Sequence, residues 1–136
     1  DDAGINPLPT RRSIPLWFGG HDDRMLRRTA KLADGWIMLA YPPDDSALQA
    51  FETLRSYICD EGRDPNDVGL EVWTSLGDGD DDKLRDDFQF WKEAGVSHIT
   101  LNNWYDRSPH SRMAERGAEG HMTAMRHYYE LVEDLL

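Results

Sequence analysis

The chain has 136 residues, 39% hydrophobic and 30% charged, with five Trp and five Tyr, a composition that suits one soluble globular domain and excludes disorder. Its formal net charge of −11 argues against nucleic acid and anionic membrane surfaces as partners, because both demand Lys and Arg. No apolar run approaches the ~20 residues of a membrane span, and no basic-apolar leader opens the chain, so a cytoplasmic location is expected.

Residues 1–13 hold Gly4, Pro7 and Pro9 without helical period and read as an opening loop. No initiator Met precedes Asp1, so the chain is expected to begin within a longer protein. Ile14-Pro15-Leu16-Trp17-Phe18 then forms a short apolar run closed by Gly19-Gly20, the pattern of a strand buried on both faces. Met25, Leu26, Thr29, Ala30 and Ala33 recur at helical spacing, which predicts a helix over 23–34 with Asp22 as N-cap and Gly35 just past its end.

Trp36-Ile37-Met38-Leu39 is the second apolar run, and Tyr41-Pro42-Pro43 ends it. Asp44, Asp45 or Ser46 can cap a second helix that continues to about Glu61, with Gly62 as its stop. Cys59, the single cysteine, lies in this helix beside Leu48, Phe51, Leu54 and Ile58. It is expected as a packed or half-exposed thiol and cannot form an intrachain disulfide.

Leu70 to Leu76 reads as the third strand, with Val72 and Thr74 on one face and Trp73 on the other. Leu84, Phe88 and Trp91 stripe a third helix that begins at about Asp81 and stops at Gly95. His98 to Leu101 supplies the fourth strand. A last helix starts near Met113 or later, with an expected stripe of Met125, Tyr128, Tyr129, Val132 and Leu136.

Strand and helix thus alternate four times, which predicts an α/β fold with a parallel sheet. The periodicity is compatible with a small open sheet or with half of an eight-stranded barrel. In both, ligands gather at the carboxyl ends of the strands, so chemistry is sought in four loops.

The first loop, Gly19-Gly20-His21-Asp22, carries the clearest signal. Two glycines before a helix allow a tight turn and close approach to a ligand, while the free N–H groups of the helix attract phosphate. Arg24 in the first turn adds positive charge. The third loop, from Gly77 to Asp82, holds clustered acids but lacks the alternating ligands of a calcium loop, and acids suit a helix start. No two of the five histidines are spaced as metal ligands, so no metal site is expected. His98, at the base of a strand, reads as structural. After the fourth strand, Asn102 and Trp104 are candidates for a substrate pocket, as a polar contact and an apolar wall.

Three stretches carry a resemblance: Ile14 to His21, Leu26 to Ala30, and Leu32-Ala33-Asp34-Gly35-Trp36-Ile37. Gly62-Arg63-Asp64-Pro65 and Glu93 to Ile99 extend it over nearly the whole chain. The sequence resembles the luciferase-like monooxygenase family, most closely the members that use the deazaflavin coenzyme F-420 or FMN. The resemblance implies a partial (β/α)8 (TIM) barrel in which residues 1–136 form a single partial domain equivalent to strands five to eight. A full barrel needs about 250 residues.

It further implies that Gly19, Gly20 and His21 hold the phosphate of F-420 or FMN, with Asp22 standing where similar proteins often have Ser. Asp22 brings a negative charge that competes for the helix N–H groups, and Arg24 is placed to offset it. The implied activity is that of a flavin- or deazaflavin-dependent oxidoreductase or monooxygenase acting on a small-molecule substrate, with the cofactor supplying the chemistry. Family catalytic residues come largely from the first four strands, so no catalytic residue is named here and the chain alone is expected to be inactive. Two open strand edges imply a homodimer or a missing N-terminal half-barrel. Alternative functions are a non-catalytic phosphate-binding half-barrel and a barrel enzyme acting on phosphorylated sugars.

Overall fold

A computed structural model describes residues 10, 13–38, 41–78, 80–102 and 117–136. Most of the expected opening loop, Leu39 and Trp104 lie outside the described residues. The order is β1 (Trp17–Gly19), α1 (Asp23–Leu32), β2 (Gly35–Met38), α2 (Asp45–Asp60), β3 (Gly69–Thr74), α3 (Asp81–Glu93), β4 (His98–Leu101) and α4 (Ala118–Val132). The four strands form one parallel sheet in the order β1-β2-β3-β4. Each helix returns the chain to the start of the neighbouring strand, so the alternation read in the sequence is the architecture.

Side chains alternate across the sheet. Trp36, Met38, Leu70, Val72 and Thr74 point into the helical layer and are buried there. The four apolar ones meet Leu26, Ala30, Ala47, Phe51, Leu54, Ile58 and Trp91 from the helices in one core. Phe88, Tyr128 and Val132 form a smaller cluster between α3 and α4. Truncating a fully buried side chain such as Leu54 in such a core typically costs about 2–5 kcal/mol.

The other face is open. It carries Trp17, Ile37, Glu71, Trp73, His98 and Thr100, none of which is fully buried. Trp17 lies flat across Gly35 and Gly69, where an added Cβ would meet its ring at 2.3 and 2.5 Å. Its ring also meets His98 edge-on at 5.0 Å, which gives His98 the structural role expected of it.

Several boundaries differ from the sequence reading. β1 begins at Trp17, not Ile14, because the Leu16 backbone is committed elsewhere: its carbonyl accepts from Asp34 and Gly35, and its N–H donates to the Asp34 carboxylate at 2.7 Å. Trp17 and Phe18 are half-buried, since β1 ends the sheet and has no layer on its open face. α1 stops at Leu32 with Ala33 already extended, so Gly35 opens β2 rather than following a helix. β3 ends at Thr74. Cys59 is exposed, because Ile58 takes the core position.

Two of the caps follow the sequence reading, and Asp80 is a third that it did not name. Asp22, Asp44 and Asp80 accept first-turn amides of α1, α2 and α3, each cap worth about 1 kcal/mol. Asp80, with Asp81 and Asp82 in the first turn of α3, makes the acidic run a helix start. Gly62 and Gly95 follow α2 and α3 with φ of 72° and 79°, the left-handed conformation that ends a helix without steric cost.

Helix α4 departs most. It starts at Ala118, and its buried stripe is Gly120, Ala124, Tyr128 and Val132. Met125, Tyr129 and Leu136 of the expected stripe are exposed. The helix has two apolar edges, and only one faces this core.

Candidate cofactor-binding site

The block Asp34-Gly35-Trp36 acts on the glycine loop from the neighbouring strand. Asp34 fixes Leu16 at the base of β1, and Gly35 makes room for the Trp17 ring. Trp36 is fully buried, as expected of a core residue, yet its indole Nε1–H donates to the Gly20 carbonyl at 2.9 Å. That bond fixes the turn that the two glycines permit.

Gly20 has φ 107°, a conformation that a side chain would strain. An added Cβ would also lie 3.1 Å from Met25 Cγ. At Gly19 a Cβ would find only the Ile37 carbonyl, 4.0 Å away, so a ligand can approach the backbone there. The turn leads into α1, whose first-turn N–H groups lack intrahelical acceptors by geometry and form the positive end of its dipole. Part of that end is already used: the Asp22 carboxylate accepts from Met25 N–H at 3.1 Å. Arg24 is 96% exposed and 4.0 Å from Asp22, so it sits at the loop's outer margin.

Other charges around the loop are paired. Asp23 accepts from the Tyr57 hydroxyl at 2.5 Å and from Arg27 at 2.9 Å. The Tyr57 bond and then Arg27 hold its carboxyl below the usual range. Arg27 lies over the Tyr57 ring at 3.9 Å, which staples α1 to α2. Asp44 is held below the usual range by the Ser46 hydroxyl and amide.

His21 meets the Tyr41 ring edge-on at 5.6 Å, and Tyr41 leads on through Trp36, Phe51 and Trp91 by further edge contacts. A chain of rings thus runs from the rim into the core. Asn102 follows β4 and donates its backbone N–H to the Thr74 carbonyl at 2.8 Å. The structure therefore brings Gly19, Gly20, His21, Asp22 and Arg24 together at one edge, with Asn102 at the end of the last strand.

Three further residues form a group that the sequence reading did not single out. On the open face Glu71 Oε1 accepts from Trp73 Nε1 at 3.0 Å and from the Thr100 hydroxyl at 2.8 Å. Register places Glu71 in the same cross-strand layer as Gly19. Alternation along β3 does put Glu71 and Trp73 on one face, but pairing with Thr100 required the register of β4. Among the described residues, no group of three or more His, Cys, Asp or Glu side chains is arranged to hold a metal ion. No helix there is long and apolar enough to cross a membrane.

The motif Gly62-Arg63-Asp64-Pro65 is structural. Arg63 donates to the Ala30 and Ala33 carbonyls at 2.7 and 2.8 Å and so satisfies the carboxyl end of α1, while Asp64 caps the short 3-10 turn Pro65–Asp67.

An arc of parallel strand-helix units with a glycine turn at its carboxyl edge has the architecture of part of a (β/α)8 barrel. The chain belongs to the luciferase-like monooxygenase family, whose sequence profile matches residues 1–135. It is 38% identical over 93 residues to the phthiodiolone/phenolphthiodiolone dimycocerosates ketoreductase of Mycobacterium bovis, covering 68% of this chain and 24% of that protein. It is 42% identical over 70 residues to the Mycobacterium kansasii protein of the same name, covering 49% of this chain and 18% of the relative. The matched region thus spans about a quarter of the ketoreductases' length. Among solved structures, the coenzyme F-420-dependent tetrahydromethanopterin reductase of Methanopyrus kandleri superposes with a TM-score of 0.54 at 13% identity, over 65% of this chain and 44% of that one. That likeness concerns the fold.

Proposed function

We propose that the chain is the C-terminal half of a flavin- or deazaflavin-dependent oxidoreductase barrel, and that the Gly19-Gly20 turn holds the phosphate of F-420 or FMN. The observation that carries this reading is the Trp36–Gly20 bond, which locks a side-chain-free turn ahead of the α1 N-terminus. Backbone amides at Gly19 and Gly20 and in the first turn of α1 would hold the phosphate, with His21 and Arg24 alongside. The residues fit an anionic group through the backbone, and Asp22 is the one that opposes it. The bound cofactor would supply hydride chemistry, and this chain would supply position and charge.

Glu71, Trp73 and Thr100, with Asn102 just beyond the last strand, would line the substrate side of the barrel interior. The ketoreductase relatives favour a carbonyl compound as the substrate. With family catalytic groups expected on the first four strands, the chain alone binds cofactor without turnover.

Titration of cofactor fluorescence with the 136-residue chain tests the phosphate site. Gly20→Val should weaken FMN or F-420 binding at least about tenfold, the size expected from losing one charge-assisted contact (~1.5 kcal/mol or more). Asp22→Ser should strengthen it while keeping the helix cap. Unchanged affinity in both variants, each folded by circular dichroism, would remove the loop from the site. Binding of sugar phosphates but not of either cofactor would overturn the oxidoreductase reading.

A further inference from the structure

Strand β3 carries one residue that packing does not explain. Its side chains alternate, and Leu70 and Val72 point to the helices and fill the core there. Glu71 stands on the opposite face, the one a parallel barrel turns to its interior. Branched apolar side chains normally fill such positions, and glutamate is disfavoured in strands. A carboxylate placed there loses water and must be compensated. Such a departure from packing rules is expected at functional sites.

The compensation comes from two neutral donors that also fix the direction of the carboxylate. Trp73 Nε1–H donates to Glu71 Oε1 at 3.0 Å, and the Thr100 hydroxyl donates to the same oxygen at 2.8 Å. Trp73 and Thr100 are register partners across β3 and β4, so one cross-strand pair orients Glu71. Both bonds use Oε1, which leaves Oε2 as the oxygen for ligand contact.

Below Glu71 the Trp17 ring rests on Gly35 and Gly69 and floors the interior. Gly69 precedes Glu71 by two residues on the same face, and Trp73 follows it by two. The carboxylate therefore stands between an aromatic floor and the carboxyl rim, the side from which barrel ligands enter. It shares a cross-strand layer with Gly19, two strands away, a separation of about 10 Å. Glu71 is thus clear of the turn assigned to the phosphate. The titratable side chain facing it from β4 is its register partner His98, whose ring Nδ1 lies 2.9 Å from the Ser97 hydroxyl. Its partner on β2 is the apolar Ile37.

We propose that Glu71 exchanges the proton carried by the substrate oxygen, with Trp73 and Thr100 as its positioning residues. The proposal rests on the oxidoreductase reading above and names the residue that handles the substrate. Ionised, Glu71 accepts from the hydroxyl of an alcohol; protonated, it donates to the oxygen of the matching ketone. In reduction the ketone carbon gains a hydride from the anionic reduced flavin or deazaflavin, and the C=O π pair takes the Glu71 proton. The products are the alcohol, the Glu71 carboxylate and the oxidised cofactor. Oxidation of the alcohol is the reverse.

Carbon-13 NMR of the Glu side-chain carboxyls in the 136-residue chain tests it, with the Glu71 signal assigned through Glu71→Gln. The probes are cyclohexanone and cyclohexanol, each titrated to saturation. The ketone, held by the acid, should raise the Glu71 titration midpoint, and the alcohol, held by the carboxylate, should lower it. Each displacement should reach at least about 0.3 pH unit, a twofold preference between the two forms. His98→Gln should preserve both displacements, and Thr100→Val, which frees Glu71 to turn, should shrink both. A carboxylate that serves only Trp73 and Thr100 would keep one midpoint with either probe. That result, or displacement in the same direction by both probes, would overturn the proposal. In the complete barrel, Glu71→Gln keeps an oxygen for both donors but cannot exchange a proton. Its kcat should fall at least about hundredfold at unchanged cofactor affinity, and an unaltered kcat would also overturn the proposal. Opposite displacements in a chain that binds neither FMN nor F-420 would remove the cofactor reading and leave Glu71 as the group that meets alcohol and ketone. Cofactor binding with an unmoved Glu71 would remove this inference alone.

Discussion

The indole N–H of Trp36 reaches across from β2 to the carbonyl of Gly20 at 2.9 Å, so a buried core side chain sets the conformation of the turn at the candidate phosphate site. The bond accounts for a tryptophan after Asp34-Gly35, because its indole supplies an N–H donor that Phe and the aliphatic side chains lack. Trp36 serves packing and loop geometry with one side chain.

Replacing Trp36 with Phe keeps much of the apolar volume but leaves the Gly20 carbonyl without its donor. Loss of that bond should destabilise the chain by about 1–3 kcal/mol, together with the packing lost from a smaller ring. Urea unfolding measures the stability change. Cofactor titration on the folded variant should show weaker binding, whereas a core position without influence on the loop would change stability alone.

Gly35→Ala tests a steric relationship, because its new Cβ would overlap the Trp17 ring, 2.3 Å away, and force the ring from its seat. A destabilisation of about 1–3 kcal/mol is expected from such overpacking. Adding Trp17→Ala should recover part of that loss, and the coupling between the two changes is readable in a double-mutant cycle. Strict additivity would show that the ring does not rest on this glycine.

Tyr128 predicts the response to alkali. Its side chain is buried, and that burial, offset only in part by the Thr74 hydroxyl, pushes the phenol up to about 12. The unfolded chain loses this proton near the ordinary value of about 10. The neutral phenol therefore favours the folded state, with that contribution intact below about pH 10 and lost as pH rises toward 12. The full loss is at most about 2.7 kcal/mol, from ~1.36 kcal/mol per pH unit. Thermal unfolding of wild type and Tyr128→Phe from pH 9 to 12 should give curves that converge in relative stability at neutral pH and separate in alkali, the variant falling less. Parallel curves would refute the assignment.

The order of elements was legible because local rules acted without conflict. Asp22, Asp44 and Asp80 each stood before an apolar stripe, and each caps a helix. Alternation in β3 placed Val72 and Thr74 inward and Trp73 outward, as found. The glycine turn was visible for the same reason, since a pair of glycines between a strand and a helix is a local signal. In α4, two apolar edges shared one periodicity, and nothing in the spacing distinguished the edge that meets α3 from the one left outside.

Sequence by itself determined the alternation of strands and helices, the caps of the first two helices and the position of the glycine turn, because each depends on residues within a few positions of one another. Only the tertiary structure decided that Trp36 holds that turn, that Gly35 and Gly69 seat Trp17, that Arg63 serves the end of α1, and that Glu71 meets Thr100. Those partners lie 16 or more residues apart, and strand register together with the packing of α1 on α2, properties of the assembled fold, is what brings them into reach.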